Sequence, residues 1–143
     1  MFLPLMSFGQ VITYEDLKSI TDEKRFQRVF IENNYQRWEN VDEEFDEETL
    51  AYAYDLQGKG KDAKSKSFAM YHLDNKVFMV AYTSKWVYNE IFDVAKEDLE
   101  FVKVDEDDFA VYKDGDFYIG FKIEQSDTGS GGWYTIEARY KKE

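Results

Sequence analysis

Apolar residues along this chain recur at two different intervals, and the interval changes near Ser67. Up to about residue 57 the spacing is helical. Thr13 followed three residues later by Asp16 resembles a capping arrangement, although the usual partner at that position is Glu or Gln, and a short helix over 14–20 follows. Thr21 or Asp22 caps a second predicted helix reaching about Trp38, with Phe26, Phe30 and Trp38 near one face and Val29 beside them. A third helix is predicted over 41–56, because Val41, Phe45, Thr49, Tyr52 and Leu56 fall on one helical stripe. Gly58 ends it, and the segment 58–67, "GKGKDAKSKS", reads as an exposed loop.

From Ser67 the period becomes two. "SFAMYHL" and "KVFMVAYTS" flank Asp74 and Asn75, a hairpin signal. The span 86–100 fits either a strand or a short helix near 94–99. After it, "LEFVKV", "FAVYK", "DFYIGFKIE" and "WYTIEARYK" read as strands, with a tight turn at 113–116 and a longer glycine-rich one at 126–132. The expected architecture is α+β, with two or three N-terminal helices followed by an antiparallel β-meander of five or six strands. The helices are expected to cover one face of that sheet. No repeat or dividing linker is evident, so 1–143 reads as one domain: a helical part at about 13–57, the loop 58–67, and a sheet part at about 67–142.

Composition narrows the functional classes. An aromatic content of 18% separates the chain from disordered acidic segments, which lack the apolar surface to offset chain entropy. With no Cys, no disulfide or thiolate is available, in keeping with a cytoplasmic protein. The opening "MFLPLMSFG" lacks the basic region and cleavage signature of a signal peptide, and Met6 reads as an alternative start. No apolar run has the length of a membrane span. The net charge of −12 disfavours direct binding to nucleic acid or an anionic membrane and favours a basic protein partner.

That charge is clustered. The segment 39–48 holds seven acids and no base, and 90–116 holds eleven acids against Lys96, Lys103 and Lys113. These segments carry −7 and −8, so the remaining residues sum to +3. Within the first, Asp42, Glu43, Glu44, Asp46, Glu47 and Glu48 would stack like charges four apart on a helix, each pair costing about 0.2–0.5 kcal/mol. Within the second, Asp105, Glu106, Asp107 and Asp108 read as a turn between two strands.

Catalytic and metal motifs find little support in the sequence. An EF-hand loop started at Asp105 fails at Phe109 and Ala110, and acids around a helix diverge rather than converge on an ion. His72 is the only histidine, which with no Cys leaves zinc without a ligand set. "GKGK" lacks phosphate-loop spacing, and no G-x-S-x-G elbow occurs. Asp127, Thr128, Gly129 and Ser130 resemble the active-site tetrapeptide of aspartic proteases, but Glu124, Gln125 and Ser126 stand where that family has an apolar run. Trp38, Trp86 and Trp133 are candidates for a sugar site or for core positions. No cofactor and no metal are expected.

In size, charge and patterning the chain resembles the small acidic phage-type inhibitors, the anti-CRISPR and anti-restriction DNA mimics. The resemblance implies an inhibitor that occludes the nucleic-acid-binding surface of a basic protein, such as a nuclease. It places the contact at Asp42, Glu43, Glu44, Asp46, Glu47, Glu48, Asp105, Glu106, Asp107 and Asp108. An immunity protein against a nuclease toxin, a generic acidic interaction domain and a small carboxylate-based enzyme are the other readings.

Overall fold

The fold is α+β: three helices on an eight-stranded antiparallel sheet, seen in a computed structural model that describes residues 12–38, 49–58, 65–125 and 132–141. Helix α1 (Tyr14–Lys18) begins with a reciprocal capping box, in which Thr13 Oγ1 accepts from the Asp16 N–H at 3.1 Å and Asp16 Oδ2 accepts from the Thr13 N–H at 3.0 Å. Asp therefore fills the position usually held by Glu or Gln. Asp22 caps α2 (Glu23–Glu32), accepting from the Arg25 N–H at 2.9 Å.

Helix α2 ends well before the expected Trp38. Asn34 adopts φ +69°, a left-handed conformation that Asn tolerates better than most residues, and its N–H bonds back to the Ile31 carbonyl. The chain then leaves as β1 (Tyr35–Arg37). The expected third helix over 41–56 is also corrected where it is described: Thr49–Tyr54 is strand β2. Leu50, Tyr52 and Tyr54 face the helices, and Ala51 and Ala53 face the other way. A helix would set Thr49 and Tyr52 on one face, whereas the strand sets them on opposite faces, and pairing with strands on both sides favoured the strand. The part of that helix over 41–48 lies outside the described residues.

Strands β3 (Ser67–His72) and β4 (Phe78–Tyr82) form the expected hairpin, with Asn75 Oδ1 accepting from the Val77 N–H across the turn. The ambiguous span resolves as α3 (Lys85–Asp98), capped by Ser84 and burying Tyr88, Ile91 and Ala95 at steps of three and four. Then follow β5 (Glu100–Val104), β6 (Ala110–Asp114), β7 (Phe117–Gln125) and β8 (Gly132–Tyr140). The sheet therefore has eight strands, where five or six were expected, and one helix sits mid-chain.

Strand order is β1-β2-β3-β4-β8-β7-β6-β5. Two four-stranded meanders, each preceded by a helix, meet through the antiparallel pairing of their last strands, β4 and β8. The topology thus has an approximate two-fold arrangement that the amino-acid sequence does not repeat. Strands β4 and β5 run in the same direction, so a crossover must join them, and α3 crosses obliquely, touching β4, β8 and β5. Phe26 of α2 packs on Tyr52, Tyr71 and Phe78, while Tyr88 and Phe92 of α3 pack on Phe121. Helix α1 closes the end of this layer, with Tyr14 against Phe117, Lys18 paired to Asp114 at 2.6 Å, and the Tyr140 hydroxyl donating to the Lys18 carbonyl.

Phe26 is fully buried among four aromatic rings. Phe26→Ala should cost about 3–5 kcal/mol, read as a lower midpoint in urea unfolding.

Candidate functional site

Two features stand out from the packed core: an acidic sheet edge and a cavity. The edge is built by the second half of α3, the β5–β6 hairpin and the turn after it, which together hold the 90–116 segment and its −8. All five residues of β5 are exposed, and among the described residues β6 is the strand it pairs with. Three of them are large and apolar: Phe101 at 52%, Val102 at 39% and Val104 at 60% exposure. A register shift between Phe101 and Lys103 bulges the strand at Val102.

Acids surround this apolar strip. Glu97 and Asp98 occupy the last turn of α3, where the helix dipole disfavours negative charge by about 0.3–1 kcal/mol each. Beyond β5 lies the expected acidic turn, whose four members have different roles. Asp105 Oδ1 accepts from the N–H groups of Asp107 and Phe109 at 2.9 and 3.0 Å, so this carboxylate shapes the turn. Asp108 takes φ +70°, where Asp is tolerated and most side chains are strained. Glu106 and Asp107 are the exposed acids free of those backbone duties. Phe109 anchors the turn by packing over Gly120, where an added Cβ would meet Phe109 Cβ at 3.1 Å.

Anchored in this way, the turn reaches the sheet face opposite the helices. There Glu137 is half-buried, and its carboxyl is held above the usual range by desolvation and by Asp105, then Asp107, with Arg139 and His72 opposing. His72 lies on the same face, with Nδ1 3.2 Å from Thr49 Oγ1. No cluster of three or more metal-ligating side chains occurs among the described residues.

The other expected acids, Asp42, Glu43, Glu44, Asp46, Glu47 and Glu48, lie outside the described residues, as does Asp127. The described residues flanking the first acidic segment, Trp38 and Thr49, belong to the β1–β2 edge. That edge is seven strand spacings, about 33 Å, from β5. The three tryptophans do not converge on one site. Trp38 and Trp133 both pack edge-on against Phe68 on the open face, whereas Trp86 is on α3.

The cavity, of about 630 Å³, opens between the end of α2 and the start of α3. Its floor is one cross-strand row, Tyr35, Tyr54, Ser67 and Tyr82, directly opposed across β1 to β4. Ser67 is the small member of the row, which makes the hollow. Tyr35 and Ser67 share a hydroxyl hydrogen bond of 2.6 Å. Asn33 Oδ1 is buried with no hydrogen-bond partner among the described residues, and the buried Tyr82 hydroxyl lies against that of Tyr35. Asn33 Nδ2 donates to the Val29 carbonyl at 2.8 Å, which fixes the amide so that Oδ1 is the free acceptor. Sequence reasoning missed this row, because its members are far apart in the chain and meet only through strand register.

Compared with known proteins, the chain matches no family model, no curated protein and no solved structure. Among the described residues no helix is long and apolar enough to cross a membrane.

Two pH dependences follow from the buried groups. Because Glu137 titrates above its ordinary 4.5 in the folded chain, the native state holds the extra proton and stability falls as pH rises through that window. Glu137→Gln should raise the melting temperature at about pH 7 and give no gain below the carboxylate range, as read by thermal denaturation. Burial pushes Tyr35 from 10.0 up to about 12, so stability declines between those values as the unfolded chain ionises first. Tyr35→Phe should lose about 1 kcal/mol at neutral pH with the Ser67 bond, then regain ground on wild type in alkaline unfolding.

Proposed function

We propose that this chain is an acidic binding protein that engages a basic, nucleic-acid-handling protein, such as a nuclease, and blocks its nucleic-acid-binding surface. The observation that carries this reading is the β5 edge: an exposed strand with Phe101, Val102 and Val104 on its surface, set within a segment of net −8. Charge that only solvates a domain has no need of exposed apolar side chains beside it. Apolar contacts ringed by one sign of charge suit an interface with a partner of the opposite sign. The outer backbone of β5, which pairs with no further strand among the described residues, also suits an extended segment by strand addition. Glu97 and Asp98 lie where they oppose the dipole of their own helix, a local cost in keeping with a surface kept negative for a partner.

The partner supplies lysines and arginines in a groove that otherwise holds phosphate, and the acidic edge competes for that groove. The first acidic segment adds −7 to the same electrostatic attraction. Glu106 and Asp107 are the acids to reverse, since Asp105 and Asp108 support the turn itself.

The test is displacement of labelled duplex DNA from candidate basic nucleases. The wild-type chain should release DNA from its partner, and its binding should weaken steeply with salt. Glu106→Lys with Asp107→Lys should reduce that binding at least about tenfold, and Phe101→Ser with Val104→Ser should speed dissociation. Undiminished, salt-insensitive binding by both double variants would remove the edge from the interaction.

A further inference from the structure

We infer that the corner of the sheet between α3 and β5, on the helix side, seats a basic amphipathic helix of the partner. The inference rests on the function proposed for the acidic edge, and it names the partner element that meets that edge.

Register places the apolar residues of this corner on one face. Phe101 opposes Tyr112, and Val104 opposes Ala110, which in turn opposes Phe121. Tyr112 and Phe121 both pack on Phe92 of α3, so the face they share is the helix side. In a regular strand, residues three apart point to opposite faces. The extra residue at the Val102 bulge turns Val104 to the same side as Phe101. Ile123 follows Phe121 by two positions on β7 and joins them there. Phe101, Val104 and Ile123 are each more than half exposed, because α3 runs obliquely from β4 to the start of β5 and leaves this corner uncovered.

The corner has the width and the charge for one helix. From β5 to β7 is two strand spacings, about 9.5 Å, and packed helices lie about 8–10 Å apart. Phe92 on the flank of α3 forms one wall, its ring 6.0 Å from that of Tyr112, and Tyr112 lies 5.4 Å from Phe101. This aromatic run carries the core out to the edge. A partner helix with apolar residues three and four apart extends the helix layer and buries it. Apart from Phe121 and Ile123, these residues belong to the 90–116 segment with its −8. Lys96, on the same flank of α3, lies over the Phe92 ring and is 4.0 Å from Asp93. Asp105, Glu106, Asp107 and Asp108 follow Val104 directly. Charge complementarity therefore asks for Lys and Arg beside the apolar stripe, and it disfavours a second copy of this chain, which sets −8 against −8. The outer backbone of β5 is the other way onto this edge. The bulge interrupts regular pairing there while it serves the face, so the side-chain contact is favoured.

The experiment titrates the full chain at low salt with synthetic peptides of about 18 residues, about five turns of helix, read by fluorescence anisotropy. One peptide sets Leu on a helical stripe among Lys. Another has the same composition with Leu and Lys alternating, as for an added strand. A third keeps the stripe and replaces Lys with Glu. The striped Leu/Lys peptide should bind saturably, at least about tenfold tighter than either of the others. Ile123→Ser should weaken it by about tenfold while melting stays within a few degrees of wild type, since that side chain is exposed. Ile123 lies on β7, two strands in from the outer edge, so strand addition on β5 does not depend on it. The inference is overturned by no saturable binding of the striped peptide, by equal binding of the alternating or the Glu peptide, or by Ile123→Ser binding as wild type does. Displacement of DNA from a nuclease, measured in parallel, separates the two claims. Displacement that Ile123→Ser leaves intact removes the corner and keeps the proposed function. Peptide binding with the expected dependences, but no displacement, keeps the corner and removes the nuclease as partner.

Discussion

The pairing of β4 with β8 is the constraint on which the rest of the structure depends. It joins two meanders that would otherwise be separate four-stranded sheets, through the register Phe78 to Ala138, Val80 to Ile136 and Tyr82 to Tyr134. These residues also lie beneath the helices, so one set of contacts closes the sheet and unites the two halves of the core. The paired residues are more than fifty positions apart, so their closure entropy is met only once both meanders form. Because β4 ends in the middle of the sheet and β5 begins at its edge, this pairing also requires the α3 crossover.

Helix α3 consequently links the cavity to the acidic edge. Its N-terminus, without acids, opens onto the cavity, and its C-terminus, with Glu97 and Asp98, joins the acidic edge. Between them Tyr88, Ile91 and Ala95 are buried against the sheet. The helix is therefore a rigid support for both, and its polarity is the reverse of what stabilises an isolated helix at its acidic end. The cavity depends in addition on a single small residue, since a larger side chain at Ser67 would fill the hollow that its neighbours Tyr54 and Tyr82 flank.

Much of the β-rich half was legible in the sequence, because alternation and turn chemistry act locally. The Asp74 and Asn75 hairpin, the Gly115 turn with φ +62° and the last four strands all follow from such signals. The N-terminal half misled where a helical spacing of aromatic and apolar residues ran through a strand. Thr49 and Tyr52 share a helical stripe but lie on opposite faces of β2, and pairing with the neighbouring strands decided for the strand. Asn33 and Asn34 end α2 before Tyr35, a stop hidden by the aromatic spacing that continues to Trp38. The acidic turn was legible as a turn, yet the division of labour between Asp105 and its neighbours was not, since it rests on backbone hydrogen bonds.

By itself the sequence determined the α+β class, the clustering of charge into two segments and the chemistry of the turns, all of which depend on neighbours close in the chain. Only the tertiary structure decided the eight-strand order, the exposed apolar strip beside the second acidic segment, and the tyrosine row beneath the cavity. Each of those depends on register between distant strands, where a shift of one residue turns every side chain to the opposite face.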